Sequence, residues 1–200
     1  MKPEQDILDE INTFFKPVFE HKTNSVGVVY ASFKDSWLNE LGLNKNIREE
    51  AKVKQTVKKL QEHLRIQFGE KRIKIEAKVA ENMELRFKDD KGNIDFDLDF
   101  DELSAFDLLD TATGTAFEFS LSDAFAEFFK DLLKAFMDSR VKKLYLCMRN
   151  HNYKINGGKN DVKKSGYRKV VSSSMVKQYV QLAKLYKIEV VFINVFPENN

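Results

Sequence analysis

Two acids bracket a turn in FDLLDTATGTAFEFS, residues 106–120. A hairpin closing with Ala112 and Thr113 at its centre sets Asp107 opposite Glu118, with Ala116 and Ser120 on the same face as Glu118. Directly opposed residues of an antiparallel pair have Cβ atoms about 4.5–5.5 Å apart, and like charges there repel unless something cationic lies between them. A divalent metal meets that need. Mg²⁺ takes one or two carboxylates and completes its shell with waters and phosphate oxygens, and an aspartate and a glutamate on neighbouring strands can supply that pair. Asp110 has the opposite parity and becomes the alternative ligand if a bulge shifts the register.

The elements that must position these acids are visible in the apolar spacing. After the hairpin, Phe125, Phe128, Phe129, Leu132, Leu133, Phe136 and Met137 predict a helix starting near the capping residues Ser122 and Asp123. Lys130 and Lys134 stand four apart on its polar side. Earlier, Ile47, Val53, Val57, Leu60 and Leu64 mark one face of a long helix that Gly69 ends. Glu50 falls on that stripe, and an inward carboxylate asks for a partner. Between 73 and 100 the period is two, which predicts a meander with one wet face. Asp95, Asp97 and Asp99 are read there as a solvated row facing Arg86 and Lys88.

Towards the C-terminus, VKKLYLCM is a buried strand, residues 150–169 are a polar loop, a helix begins at Ser172, Ser173 or Ser174, and IEVVFINVF closes the sheet. At the other end, residues 5–20 are an amphipathic helix interrupted by Pro17 and 24–45 are less regular. The order predicts an α/β fold with a mixed central sheet flanked by helices. Residues 1–45 form a helical extension and 46–200 the core, which carries a basic loop near 150–171.

Lys plus Arg number 33 against 31 acids, a formal charge of +2, but the average hides an asymmetry. Residues 95–131 are acidic apart from Lys130, and 140–171 are basic apart from Asp161. Lys154, Lys159, Lys163, Lys164, Arg168 and Lys169, with Gly157 and Gly158 for flexibility and Tyr153 and Tyr167 for stacking, suit a loop that grips a phosphate backbone.

The carboxylates, hairpin and following helix resemble the PD-(D/E)XK nuclease superfamily, whose motif is an aspartate on one strand, then a hairpin, then Glu or Asp, one residue and Lys on the next strand. The match is carried by Asp107 and Glu118, while Ser120 stands at the lysine position. Some members supply the lysine from the following helix, which points to Lys130 or Lys134; a further acid from the first helix corresponds to Glu50. The resemblance implies a restriction-endonuclease-like core and Mg²⁺- or Mn²⁺-dependent DNA cleavage, with Asp107, Glu118 and the Phe119 carbonyl as ligands. It also implies products with a 5′-phosphate and a 3′-hydroxyl. A homodimer is the simplest device for cutting two strands with one site per chain. The competing expectation is a catalytically inactive relative that binds nucleic acid or a protein partner.

Other chemistries lack their residues. His21, His63 and His151 have no ligand spacing, and no GxxxxGK[ST], GxGxxG or GxSxG occurs. The lone Cys147 can form no internal bridge, which fits a reducing, cytoplasmic setting. Acids inside MKPEQDILDEINTFF argue against an export signal, and no apolar run of about 18 residues predicts a membrane span.

Overall fold

The computed structural model of this 200-residue chain describes residues 3–23, 29–79, 85–88, 94–98, 105–121, 125–154 and 162–195. The predicted helices appear as α1 (Pro3–Phe15), α3 (Glu49–Phe68), α4 (Phe125–Met137) and α6 (Ser174–Leu185), joined by the short α2 (Asp35–Glu40) and α5 (Tyr167–Ser172). α1 stops two residues before Pro17, and α3 ends where Gly69 turns to φ 84°. Ser173 caps α6, its hydroxyl accepting from the Val176 amide. Ser122 and Asp123, the expected cap of α4, lie outside the described residues.

A five-stranded mixed sheet forms the centre, in the order β11 (Glu189–Asn194), β8 (Lys143–Met148), β7 (Thr115–Ser120), β6 (Ala105–Asp110), β3 (Ile73–Lys78). β3, β6 and β7 run antiparallel in turn, and β7, β8 and β11 run parallel. The parallel strands are covered on both sides, so they read as nearly unbroken apolar runs. Phe117, Phe119, Tyr145 and Cys147 pack with Ile7, Ile11 and Phe15 of α1 and Leu60 and Leu64 of α3. Their alternate neighbours Ala116, Leu144, Leu146 and Met148 pack with Phe128 and Leu132 of α4 and Val176 and Ala183 of α6. The α/β class with a helix-flanked mixed sheet is therefore the observed architecture.

Three elements depart from the sequence expectations. The segment 1–45 is not wholly helical, because β1 (Phe19–Thr23) and β2 (Val29–Phe33) form an antiparallel hairpin within it. The expected meander over 73–100 is divided: β3 leaves its successor and pairs with β6, while β4 (Leu85–Lys88) and β5 (Ile94–Leu98) make a separate two-stranded sheet. Arg86 and Asp97 face each other in that hairpin as register partners, and Asp99 lies outside the described residues. The polar stretch 150–169 contains a second hairpin, β9 (Asn150–Lys154) with β10 (Val162–Gly166), which joins β1 and β2 in a four-stranded sheet. Period-two patterning identifies strands but carries no information about which strand is the neighbour. Among the described residues no helix is long and apolar enough to cross a membrane.

Candidate active site

The β6–β7 turn is clamped from below. Asp110 is fully buried, and its carboxylate accepts from Arg72 Nε and Nη2 at 3.0 Å each, from the Thr113 hydroxyl at 2.8 Å and from the Ala112 amide at 3.1 Å. Gly114 turns the chain at φ 67°, where an added Cβ would lie 2.5 Å from the Arg140 carbonyl oxygen. This clamp sets the register as Leu108↔Phe117, Leu109↔Ala116 and Asp110↔Thr115, which leads outward to Asp107 and Glu118. Asp110, the alternative ligand, is committed to holding the turn.

Asp107 stands where both neighbouring ladders are interrupted. The recorded β6–β7 pairing stops at Leu108, and the β3–β6 pairing skips from Ile75↔Leu108 to Ala77↔Phe106, across from Glu76 at φ 45°. Side chains take over the freed groups. The Asp107 carbonyl accepts from Gln61 Nε2 of α3 at 2.7 Å, and its carboxylate Oδ2 accepts the Phe119 amide at 2.8 Å. The Phe119 carbonyl accepts from the Leu121 amide at 2.9 Å.

Glu118 lies on the α4 side of the sheet, 5% exposed, and its Oε1 accepts from Lys134 Nζ. Lys134 is 3% exposed, also meets Asp131 Oδ1 at 3.0 Å, and donates to the Ala105 carbonyl at 3.3 Å. Ser120 Oγ reaches towards Asp131 Oδ2 at 3.5 Å. Burial pushes the Glu118 carboxyl well above the ordinary glutamate range, Asp131 and Asp107 push it further, and Lys134 only partly offsets them. Burial would lower Lys134, but the Glu118 and Asp131 carboxylates outweigh it and hold the ammonium charged. Cys147, beside Phe119 in register, has its thiol pushed up by burial and by Asp107 and Glu118, which makes it an inert wall.

The sequence candidates divide accordingly. Asp107, Glu118, Ser120 and Lys134 converge. Lys130 is on the exposed side of α4, one helical turn from Lys134. Glu50 is exposed in the first turn of α3 rather than turned inward; the apolar stripe has not yet reached the core there. Lys159 lies outside the described residues. The backbone places Lys154 on β9, Lys163 and Lys164 on β10, and Arg168 and Lys169 on α5, so the basic segment is a hairpin leading into a helix. Asp131 is the member that sequence reasoning missed. Its signal was the i, i+3 spacing to Lys134, which reads equally well as a surface ion pair.

Three carboxylates, Glu118, Asp131 and Asp107, act on one another here with the Lys134 ammonium as their counter-charge. Asp107 and Glu118 suit a hard divalent ion as a two-carboxylate set, with water and phosphate oxygens completing it. Among the described residues no group of three or more His, Cys, Asp or Glu is arranged to enclose a metal. The chain matches no family model, no curated protein and no solved structure.

Proposed function

We propose that this protein is a Mg²⁺- or Mn²⁺-dependent DNA endonuclease of the PD-(D/E)XK type, whose lysine has moved from the strand position now held by Ser120 to Lys134 on the following helix. The carrying observation is the buried Lys134 paired with Glu118 beside Asp107. A lysine is almost never fully buried without a specific reason, and here it meets a carboxylate at the motif position. The strand order and the antiparallel-then-parallel directions also suit such a core.

In this reading Asp107 and Glu118 would hold the cation, which when bound would supply Lewis-acid polarisation of a phosphodiester and a lowered water pKa. The Phe119 amide orients Asp107. Lys134 fixes the Glu118 carboxylate and offsets charge developing on the phosphate, and Asp131 keeps that ammonium protonated. Ser120 adds a hydroxyl at the same edge. The basic segment with Lys154, Lys159, Lys163, Lys164, Arg168 and Lys169 supplies phosphate contacts, two copies of the chain cut the two strands, and the lone buried thiol suits a cytoplasmic enzyme.

The test is plasmid cleavage with Mg²⁺ or Mn²⁺. Metal-dependent nicking or linearisation should vanish in Asp107→Ala and Glu118→Ala, and fall about a hundredfold in Lys134→Met, as for loss of one preorganised charge. One observation favours a second reading: the near-complete cover over Glu118, with Lys134 already filling the cation's place. A catalytically inactive nuclease fold would retard DNA in a salt-sensitive manner and cleave under no metal condition.

A further inference from the structure

Arg149 follows β8 and is 6% exposed, yet its Nε and Nη1 are buried with no hydrogen-bond partner among the described residues. Its guanidinium lies over Phe19 at 5.6 Å and Phe33 at 5.4 Å, which fixes the plane from the hairpin side. Nη2 alone is engaged, by the carboxylate of Glu49 in the first turn of α3. The Glu49 side chain is 48% exposed and shares a longer contact with Lys52 at 3.7 Å. So a planar five-donor fork lies over two aromatic rings and is capped by a single, half-exposed acid.

A buried guanidinium with unused donors is costly, and proteins retain such groups where a ligand completes them. Arginine's fork matches the oxygens of phosphate. Ser120 is the register partner of Met148, so Arg149 lies one residue beyond it at the carboxyl end of the parallel strands, about 10 Å along the sheet from the level of Glu118. We propose that Arg149 is a phosphate-binding residue, with the Glu49 carboxylate as a displaceable stand-in that swings out when the phosphate enters. That the phosphate belongs to a nucleic-acid backbone rests on the proposed nuclease function; the phosphate chemistry itself does not.

The test uses the full chain in EDTA, so that cleavage plays no part. Thermal shift with inorganic phosphate and anisotropy of a labelled DNA duplex across a salt series are measured for the wild type, Arg149→Met, Glu49→Gln and Glu50→Gln. Arg149→Met should melt no lower than the wild type, abolish the phosphate shift, weaken duplex binding about tenfold and reduce the salt slope by about one. Glu49→Gln should raise affinity more than Glu50→Gln, which removes the same charge from the same turn without touching Arg149. Loss of the phosphate shift alone supports a free-phosphate ligand, and loss of duplex affinity alone a nucleic-acid backbone. Unchanged phosphate and duplex responses in Arg149→Met, or equal gains from the two glutamate variants, overturn the proposal. Because no metal is present, absence of nuclease activity leaves these outcomes readable.

Discussion

Glu118 takes up a proton more readily in the folded protein than in the unfolded chain. Its carboxyl is raised by burial and by Asp131 and Asp107, so its contribution to stability is full below the ordinary glutamate pKa and is lost as pH rises towards the raised folded value. Within that window each pH unit costs up to about 1.4 kcal/mol, or roughly 3–6 °C in a chain of this size. Glu118→Gln should flatten this decline, and melting curves collected from acid to neutral pH in EDTA will show whether it does. Lys134 acts in the same cluster. Lys134→Met alone should cost about 3–5 kcal/mol by leaving Glu118 and Asp131 without their cation, whereas adding Glu118→Gln should recover a large part of it. Urea titrations of the single and double variants give the coupling directly; additive losses would mean the buried pair is not the unit described.

The hairpin is the element on which the site depends. Asp110 and Arg72 tie the turn to the start of β3, and Thr111 adds hydroxyl contacts to the Lys71 and Arg72 carbonyls. Asp110→Ala removes four accepted hydrogen bonds and leaves Arg72 facing an empty place, an expected loss of about 3 kcal/mol. Gly114→Ala meets both a positive φ and the Arg140 carbonyl, so it should destabilise by at least about 1–3 kcal/mol despite adding one methyl group. Denaturant midpoints check both. Slippage of this turn would also carry Glu118 away from Lys134, so loss of stability and loss of any metal-dependent cleavage should go together in these variants.

At the scale of the molecule, residues before 46 are part of the core rather than an appendage to it. Ile7, Ile11, Phe15, Phe19, Phe33 and Trp37 pack in one cluster with Leu60, Leu64, Phe117 and Cys147, and Trp37 Nε1 donates to the buried Thr56 hydroxyl at 3.0 Å. β2 also meets β9 at Tyr30↔His151. A fragment beginning at residue 46 would keep α3 on this face of the five-stranded sheet but uncover the part that Ile7, Ile11, Phe15, Phe19 and Phe33 pack against. It is expected to lose near-ultraviolet circular dichroism and bind a hydrophobic dye while keeping far-ultraviolet signal. A cooperative, native-like melt of that fragment would contradict the shared core.

What could be read from the chain alone was whatever depends on local spacing. Helical stripes such as Phe128, Leu132 and Phe136, the alternation around Phe117 and Phe119, and the TATG turn are short-range signals, and they gave the mixed α/β class, the 106–120 hairpin and its register. Partner choice over long separations was not legible. Nothing local tells β3 to pair with β6, β2 to meet β9, or Arg149 to lie against Phe19 and Phe33. The same limit applies to the site. Lys130 and Lys134 are alike in composition and spacing, and only the packing of α4 over β6 and β7 buries Lys134 against Glu118, recruits Asp131 and leaves Lys130 exposed. Burial is a property of the assembled layers, and burial sets Glu118, Asp131 and Lys134 together as one charged cluster beside Asp107.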